Sequence, residues 1–389
     1  MMIQFLKKWL IPVLTPSAFA TFITYLVVWI YLSRLGRLDI FHAALTFKSM
    51  ISVVIISAGL AITMMLVVFF ATSLFMALTI PVDNEHMHDY DKIKEWIIKA
   101  MLFSGLFPLS FMMLMMFLTS KANINSQAFP YISIVTLSVV IYIAMRIKLG
   151  KSIREQLEIK TAKVRRLHTQ KLYILIPCMI SFIAHSQVIP VNMISSHIKY
   201  PDMFSEREKI AVFYCISFFI YFFTLMPGTV FLRMKKKESV LKKVVTPFAV
   251  ASLILVFISI YFTMIPVVFV HAVMKISGIS DFSKHYYLID KDKFPAKLFE
   301  RSLWETATVD DTKYIKIKAA LFFSFGQLHL MCPSGIIEAY KQSWDFMPGS
   351  SSFDDAVKKK FQTLGSYCFT PETKDYMQWD APLPYESGK

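Results

Sequence analysis

Over its first 275 residues the chain alternates between long apolar runs without charge and short, mostly basic loops. No Lys, Arg, Asp or Glu lies between Lys48 and Asp83. The same holds for Lys99–Lys121, Lys121–Arg146, Lys171–Lys199, Lys209–Arg233 and Lys243–Lys275. A helix of roughly 20 residues crosses a ~30 Å hydrocarbon layer, and each run is long enough for one. With the run after Lys8, seven spans are predicted: about 10–32, 50–80, 100–120, 126–145, 172–194, 210–232 and 246–273. The fold class expected is a membrane all-α bundle of about seven transmembrane helices with a C-terminal extracytoplasmic α+β domain. Residues 1–275 would form the polytopic helical domain, and 276–389 a soluble, periplasmic α+β domain.

The loops give a direction to this bundle. Residues 146–171 carry nine Lys/Arg against two Glu, and 233–243 carry six against one. Both belong in the cytoplasm by the positive-inside rule. The loop 195–209 is balanced: Lys199, Arg207 and Lys209 against Asp202, Glu206 and Glu208. It therefore faces outward. Counting crossings places the N-terminus inside and the C-terminus outside a cell inner membrane. One loop runs against this, because 33–49 holds Arg34, Arg37 and Lys48 yet falls outside. At the start, Lys7 and Lys8 precede an apolar run ending in Ala18-Phe19-Ala20, which reads as a signal-peptide cleavage site. Cleavage would leave TFITYLVVWIYL, too short to span, so an uncleaved anchor is expected.

Composition agrees with lipid as the solvent. The chain is 55% hydrophobic, 15% aromatic and only 18% charged, where soluble domains are about one quarter charged. Its net charge of +15 sits in loops between spans, so no nucleic-acid partner is expected. The linker 146–171 interleaves Ile147, Ile153, Leu157, Val164 and Leu167 with basic residues, a pattern suited to anionic lipid headgroups.

Beyond Lys275 the pattern changes. His285–Asp290 and Tyr314–Lys318 read as strands, with Ile315 and Ile317 on one face and Lys316 and Lys318 on the other. Leu328, Leu330 and Cys332 alternate again, predicting a hairpin near Gly326. Pro295–Thr306 and 353–364 read as helices, the second capped by Ser352 with Asp355 and stopped by Gly365. The run 319–337 lacks charge but carries Gly326, Gln327, His329, Pro333 and Gly335, so strands are expected there rather than an eighth span. Cys332 and Cys368 are the only cysteines of this segment. In an oxidising compartment they are free to pair; two buried free thiols are the alternative.

Candidate chemistry is sparse. The fifth span is the most polar, with His185, Ser186, Gln187 and Asn192 gathered toward its outer half beside Pro190. Such groups at membrane depth line a cavity or ligand site, or else bond helices together. His185 and Asn192 are two turns apart and would share a helix face. The acidic loop 83–95 places His86 and His88 among Asp83, Glu85, Asp89 and Asp91. That suits a zinc-like ion only weakly, and the carboxylates equally suit the start of the next helix. No metal or other cofactor is expected. No H-E-x-x-H, G-x-S-x-G or Walker A sequence occurs, and no carboxylate lies within a proposed span. The function expected is therefore non-enzymatic recognition of a protein partner at the extracytoplasmic face. An immunity protein against a membrane-active or periplasm-acting toxin is the foremost case. A channel or transporter component with an outward-facing polar pocket, or an envelope-complex assembly factor or sensor, are the alternatives.

Overall fold

A computed structural model describes residues 16–80, 90–119, 128–156, 162–234, 238–309, 313–347 and 350–381. Most of these residues are helical, and a small antiparallel sheet follows at the C-terminal end. Five helices are long and apolar enough to cross a membrane: Lys48–Phe69, Phe129–Lys151, Leu172–Ser195, Glu206–Arg233 and Val240–Tyr261. Two of the seven expected spans instead coincide with shorter helices. The described part of 10–32 lies on the apolar stretch Ala20–Leu35. The run 100–120 divides near Gly105 between Tyr90–Ser104 and Leu106–Thr119.

The chain forms two compact units. The first contains Met1–Met64, His197–Lys199 and Phe262–Lys389. Its helices are α1 (Pro16–Leu35), the first part of α2 (Lys48–Phe69), α11 (Met264–Ile276), α12 (Ile336–Gln342) and α13 (Ser351–Ser366). Its strands are β1 (His285–Asp290), β2 (Ala307–Thr308), β3 (Tyr314–Phe325), β4 (Leu328–Pro333) and β5 (Tyr376–Gln378). They run β2-β3-β1-β5, with β4 on the other part of β3, and every pairing is antiparallel. Strand β1 pairs from His285↔Ala319 to Asp290↔Tyr314.

The β3–β4 hairpin turns at Gly326, whose φ of +61° favours glycine. The charge-free run 319–337 is thus mainly a hairpin followed by α12. Ile315 and Ile317 are buried as the alternation required, but Lys316 is only 5% exposed. Its ammonium lies 4.5 Å from the Tyr286 ring centroid, a cation–π contact that helps a lysine tolerate a covered site. The expected helix 295–306 is two short turns, Ala296–Leu298 and Arg301–Trp304. The α13 cap is Ser350, whose side chain accepts from Phe353 N at 3.4 Å, two residues before the expected Ser352.

Residues 276–389 do not close this core alone. Val27, Val28, Tyr31, Leu32 and Leu35 of α1, with Met50, Val54, Ala58 and Ala61 of α2, pack in one buried cluster with Phe322, Phe323, Leu330, Tyr340 and Phe361. Tyr31 OH donates to Phe322 O at 2.5 Å. Gly365 lies inside α13, where an added Cβ would stand 2.0 Å from Leu35 O. Its role is this close approach, and the helix continues to Ser366. Arg34 Nη2 donates to Ser343 O at 2.7 Å, and Arg37 bonds Asp39 and the carbonyl of Cys368. Cys332 and Cys368 form a disulfide.

The second unit contains Met65–Ser196 and Tyr200–Tyr261. After the end of α2 come α3 (Ala71–Thr79), α4 (Tyr90–Ser104), α5 (Leu106–Thr119), α6 (Phe129–Gln156), α7 (Ala162–Ser186), α8 (Val188–Ser195), α9 (Glu206–Arg233) and α10 (Val240–Tyr261). Helix α9 starts with a full capping box between Ser205 and Glu208. At Pro227-Gly228 its ladder is interrupted. Gly228 N donates to Ser73 Oγ at 2.9 Å, and Ser73 Oγ in turn donates to Thr224 O. A hydroxyl from α3 has entered the i→i−4 ladder, a recognised origin of helix kinks. Gly105 is a second close approach, since a Cβ there would fall 1.8 Å from the Tyr221 ring.

Candidate functional site

The polar residues of the fifth span lie where α7 gives way to α8. Pro190 has no N–H to offer the carbonyl of Ser186, so the ladder breaks around Gln187. His185 is half-buried, with Nδ1 2.7 Å from Ser181 O and Nε2 2.8 Å from Ser133 Oγ of α6. A carbonyl only accepts, so Nδ1 carries the proton, and in the neutral ring Nε2 accepts from the Ser133 hydroxyl. Ser181 Oγ donates across the same helix pair to Ile134 O at 2.8 Å. Ser186 Oγ returns to its own helix at Ile183 O, 2.8 Å away. The Gln187 amide donates to Gly105 O, while its buried Oε1 has no hydrogen-bond partner. Asn192 is exposed on α8.

Three of the four residues are therefore gathered, but toward neighbouring backbone and Ser133 rather than into an open cavity. This geometry joins α6 to α7 and α7 to the α4–α5 junction. Tyr221 OH on Met101 O adds a further bond of the same kind. Sequence reasoning missed Ser133 and Gly105, because a lone serine and a lone glycine in apolar runs carry no periodic signal. Residues 81–89, with His86 and His88, lie outside the described residues, as does much of the linker 146–171 with respect to its side chains. Among the described residues no group of three or more His, Cys, Asp or Glu is placed to hold a metal ion.

A different polar concentration sits in the first unit. His271, Tyr340 and Trp344 meet with ring centroids 4.9–5.6 Å apart. His271 Nδ1, Tyr340 OH, Trp344 Nε1 and nearby Arg34 Nε are all buried without a hydrogen-bond partner. Beside them the segment 197–199 is fastened by its backbone. Lys199 N donates to Phe346 O at 2.9 Å and Phe346 N to His197 O at 3.0 Å. Asp345 reinforces this with His197 Nδ1 at 3.1 Å and Lys199 Nζ at 3.3 Å. Phe262 stacks edge-on against Phe346, with centroids 5.6 Å apart.

At the far edge of the sheet His285 is clamped by Asp380 (2.9 Å) and Asp281 (3.0 Å). Burial lowers its pKa, but the two carboxylates more than offset this and the net shift is upward. Asp380 also accepts from Gln378 and from Tyr286 N, and with His285 these hold its carboxyl down at about 2. The clamp fixes the β5 end of the chain.

No known protein family matches the chain, and no curated protein or solved structure shows significant similarity to it.

Proposed function

We propose that the chain is a seven-span inner-membrane protein, N-terminus cytoplasmic and C-terminus extracytoplasmic, that recognises a protein partner non-enzymatically at the outer face. The observation that carries the topology is the composition of the first unit. Arg34 and Arg37, residues 197–199 and the sheet segment are bonded into one body, which supports reading all three on one side of a bilayer. That reading calls for an even number of crossings between them. The loop charges independently ask for four crossings between residues 37 and 197 and two between 199 and 276. Arg34 and Arg37, which oppose the positive-inside rule, are spent on carbonyls of the sheet segment rather than on anionic lipid.

A rigid sheet fused to membrane helices is a platform for contact at the membrane surface. Within that role, immunity to a membrane-active or periplasm-acting toxin is the specific reading. Reporter fusions after residues 160 and 238 should register cytoplasm, and fusions after 203 and 389 the exterior. Expression of the chain should protect cells from a toxin encoded beside its gene. Absence of protection, with the topology intact, would remove the immunity role. A channel or transporter component is the second reading, supported by the broken helix at Gln187 with its unpartnered carbonyl oxygen. Conductance in a planar bilayer, abolished by His185→Leu or Asn192→Leu, would favour it.

A further inference from the structure

The first unit carries a groove of about 480 Å³ lined by Lys199, Gln342, Asp345, Phe353, Ala356, Val357 and Lys360. Its floor is apolar, formed by Phe353, Ala356 and Val357 on α13, and its rim is polar. Lys199 shares Asp345 with His197. Lys360 bonds a neutral partner, the Gln342 Oε1 atom at 3.0 Å, and makes no direct ion pair with a carboxylate among the described residues. Lys358 and Lys359 adjoin it, both exposed. The lining is cationic on balance even with Asp345 counted.

The height of this groove follows from chain continuity. Lys199 stands four residues beyond the apolar helix Leu172–Ser195, and four residues reach at most about 15 Å. Phe346, next to Asp345, packs on Phe262, the residue after the apolar helix Val240–Tyr261. Ser343, next to Trp344, accepts from Arg34 in the last turn of α1. Within the first unit, the apolar stretch Ala20–Leu35 thus ends beside the turn 342–346. On the membrane reading, which this inference shares, that turn lies at the level of the lipid headgroups.

We propose that the groove is a binding site for one anionic phospholipid, its phosphate between Lys199 and Lys360 and its glycerol and upper acyl carbons on Phe353, Ala356 and Val357. An apolar floor with an ammonium rim at headgroup depth is complementary to an amphiphile that is negative at one end. The volume falls in the range of small-molecule sites, roughly 300–1,000 Å³.

The test is native mass spectrometry of the full chain in detergent. It is titrated separately with phosphatidylglycerol, phosphatidylcholine and inorganic phosphate. One phosphatidylglycerol should bind per chain, in preference to phosphatidylcholine, and inorganic phosphate should not displace it. The Lys199→Gln/Lys360→Gln variant should bind phosphatidylglycerol about 30-fold more weakly with unchanged thermal unfolding. Should the double variant unfold, Lys360→Gln alone serves, since it gives up only an exposed bond to Gln342. Val357→Glu, which sets a carboxylate on the floor, should abolish the adduct. Equal affinity for the two lipids, equal affinity in the lysine variants, or displacement by inorganic phosphate would each overturn the site. Displacement of the lipid by an acidic amphipathic peptide would assign the groove to a protein partner instead. A chain that stays soluble without detergent would overturn the membrane reading itself, and that is seen before any lipid is added.

Discussion

The two compact units hold themselves together by different means. In the second unit, side-chain hydroxyls and amides reach the carbonyls of neighbouring helices: Ser181 to Ile134, Ser73 to Thr224, Tyr221 to Met101 and Gln187 to Gly105. Each such bond in a lipid environment contributes only about 0.6 kcal/mol. Were these helices in lipid, no hydrophobic drive would make one prefer another, and small polar ties with close glycine contacts would carry the packing. The first unit has such ties too, from Tyr31, Arg34 and Arg37, and adds a disulfide, a continuous sheet ladder and a mixed aromatic core. Both units hold orphaned polar atoms, at Gln187 and Ser217 in the second, but in the first they cluster at Tyr340, Trp344, His271 and Arg34. Unsatisfied groups cost most where they are desolvated, so the aromatic cluster is a place where stability has been left unclaimed.

Reduction should separate the units most strongly. The Cys332–Cys368 bridge closes 36 residues of chain, a constraint of roughly 3–4 kcal/mol in the chain-entropy account. Cys332→Ser/Cys368→Ser should lower the midpoint of the unfolding transition reported by Trp304 and Trp344 while α6 and α7 keep their hydrogen-exchange protection. Equal loss in both units would end the distinction.

Close approaches come next. Gly365→Ala drives a Cβ against a backbone carbonyl that cannot swing aside, whereas Gly105→Ala meets the Tyr221 ring. Overpacking of this kind costs about 1–3 kcal/mol. Both variants should destabilise, Gly365→Ala the more, as read by thermal melting in detergent.

Two tyrosines sharpen the contrast. Tyr221→Phe breaks a bond to Met101 O and should destabilise by about 1 kcal/mol. Tyr340→Phe removes a hydroxyl that has no partner and should be neutral or stabilising. Equal losses would show that Tyr340 is bonded after all. His185→Leu should be milder still, about 0.6 kcal/mol, with activity retained if His185 only joins α6 and α7.

The smallest effect is a pH dependence confined to the sheet edge. His285 is raised when folded, so its share of the clamp is complete below the ordinary imidazole value of about 6.5. That share is lost as pH rises through the folded value. Asp380 is held down at about 2, so its share is complete above the ordinary carboxylate value of 3.8 and is lost as pH falls toward 2. Protection of the Trp379 amide, which donates to Tyr286 O at 2.8 Å, should be greatest between about pH 4 and 6.5 after correction for intrinsic exchange. Protection that does not change from pH 5 to 8 would rule out His285 as the fastener.

Much of this architecture was legible because period and punctuation are local. His285–Asp290 and the Gly326 turn stand where alternation and a turn residue put them, and the two cysteines of the segment are bonded. Five of the charge-free runs contain long apolar helices. What escaped is what lipid hides. Val27, Val28 and Leu32 look the same in sequence whether they face acyl chains or Phe322. Arg34 and Arg37 looked like charges on the wrong side until the carbonyls of Ser343 and Cys368 came beside them. Pro190 was the available signal for the break at Gln187, yet His185 and Asn192 were placed on one unbroken face. Ser133, the partner of His185, was invisible because its partner comes from 52 residues away.

The first unit draws on two stretches far apart in the sequence, Met1–Met64 and Phe262–Lys389. During synthesis α1 and α2 emerge nearly 200 residues before the segment that shares their core. At about 5–20 residues per second, they wait on the order of 10–40 s. Tyr31, Leu32 and Leu35 must spend that interval without Phe322, Tyr340 and Phe361 beside them, and Arg34 without the carbonyl that will receive it. The later segment is then the one that locks the earlier, so this core closes only after the sheet has followed α1 and α2 out.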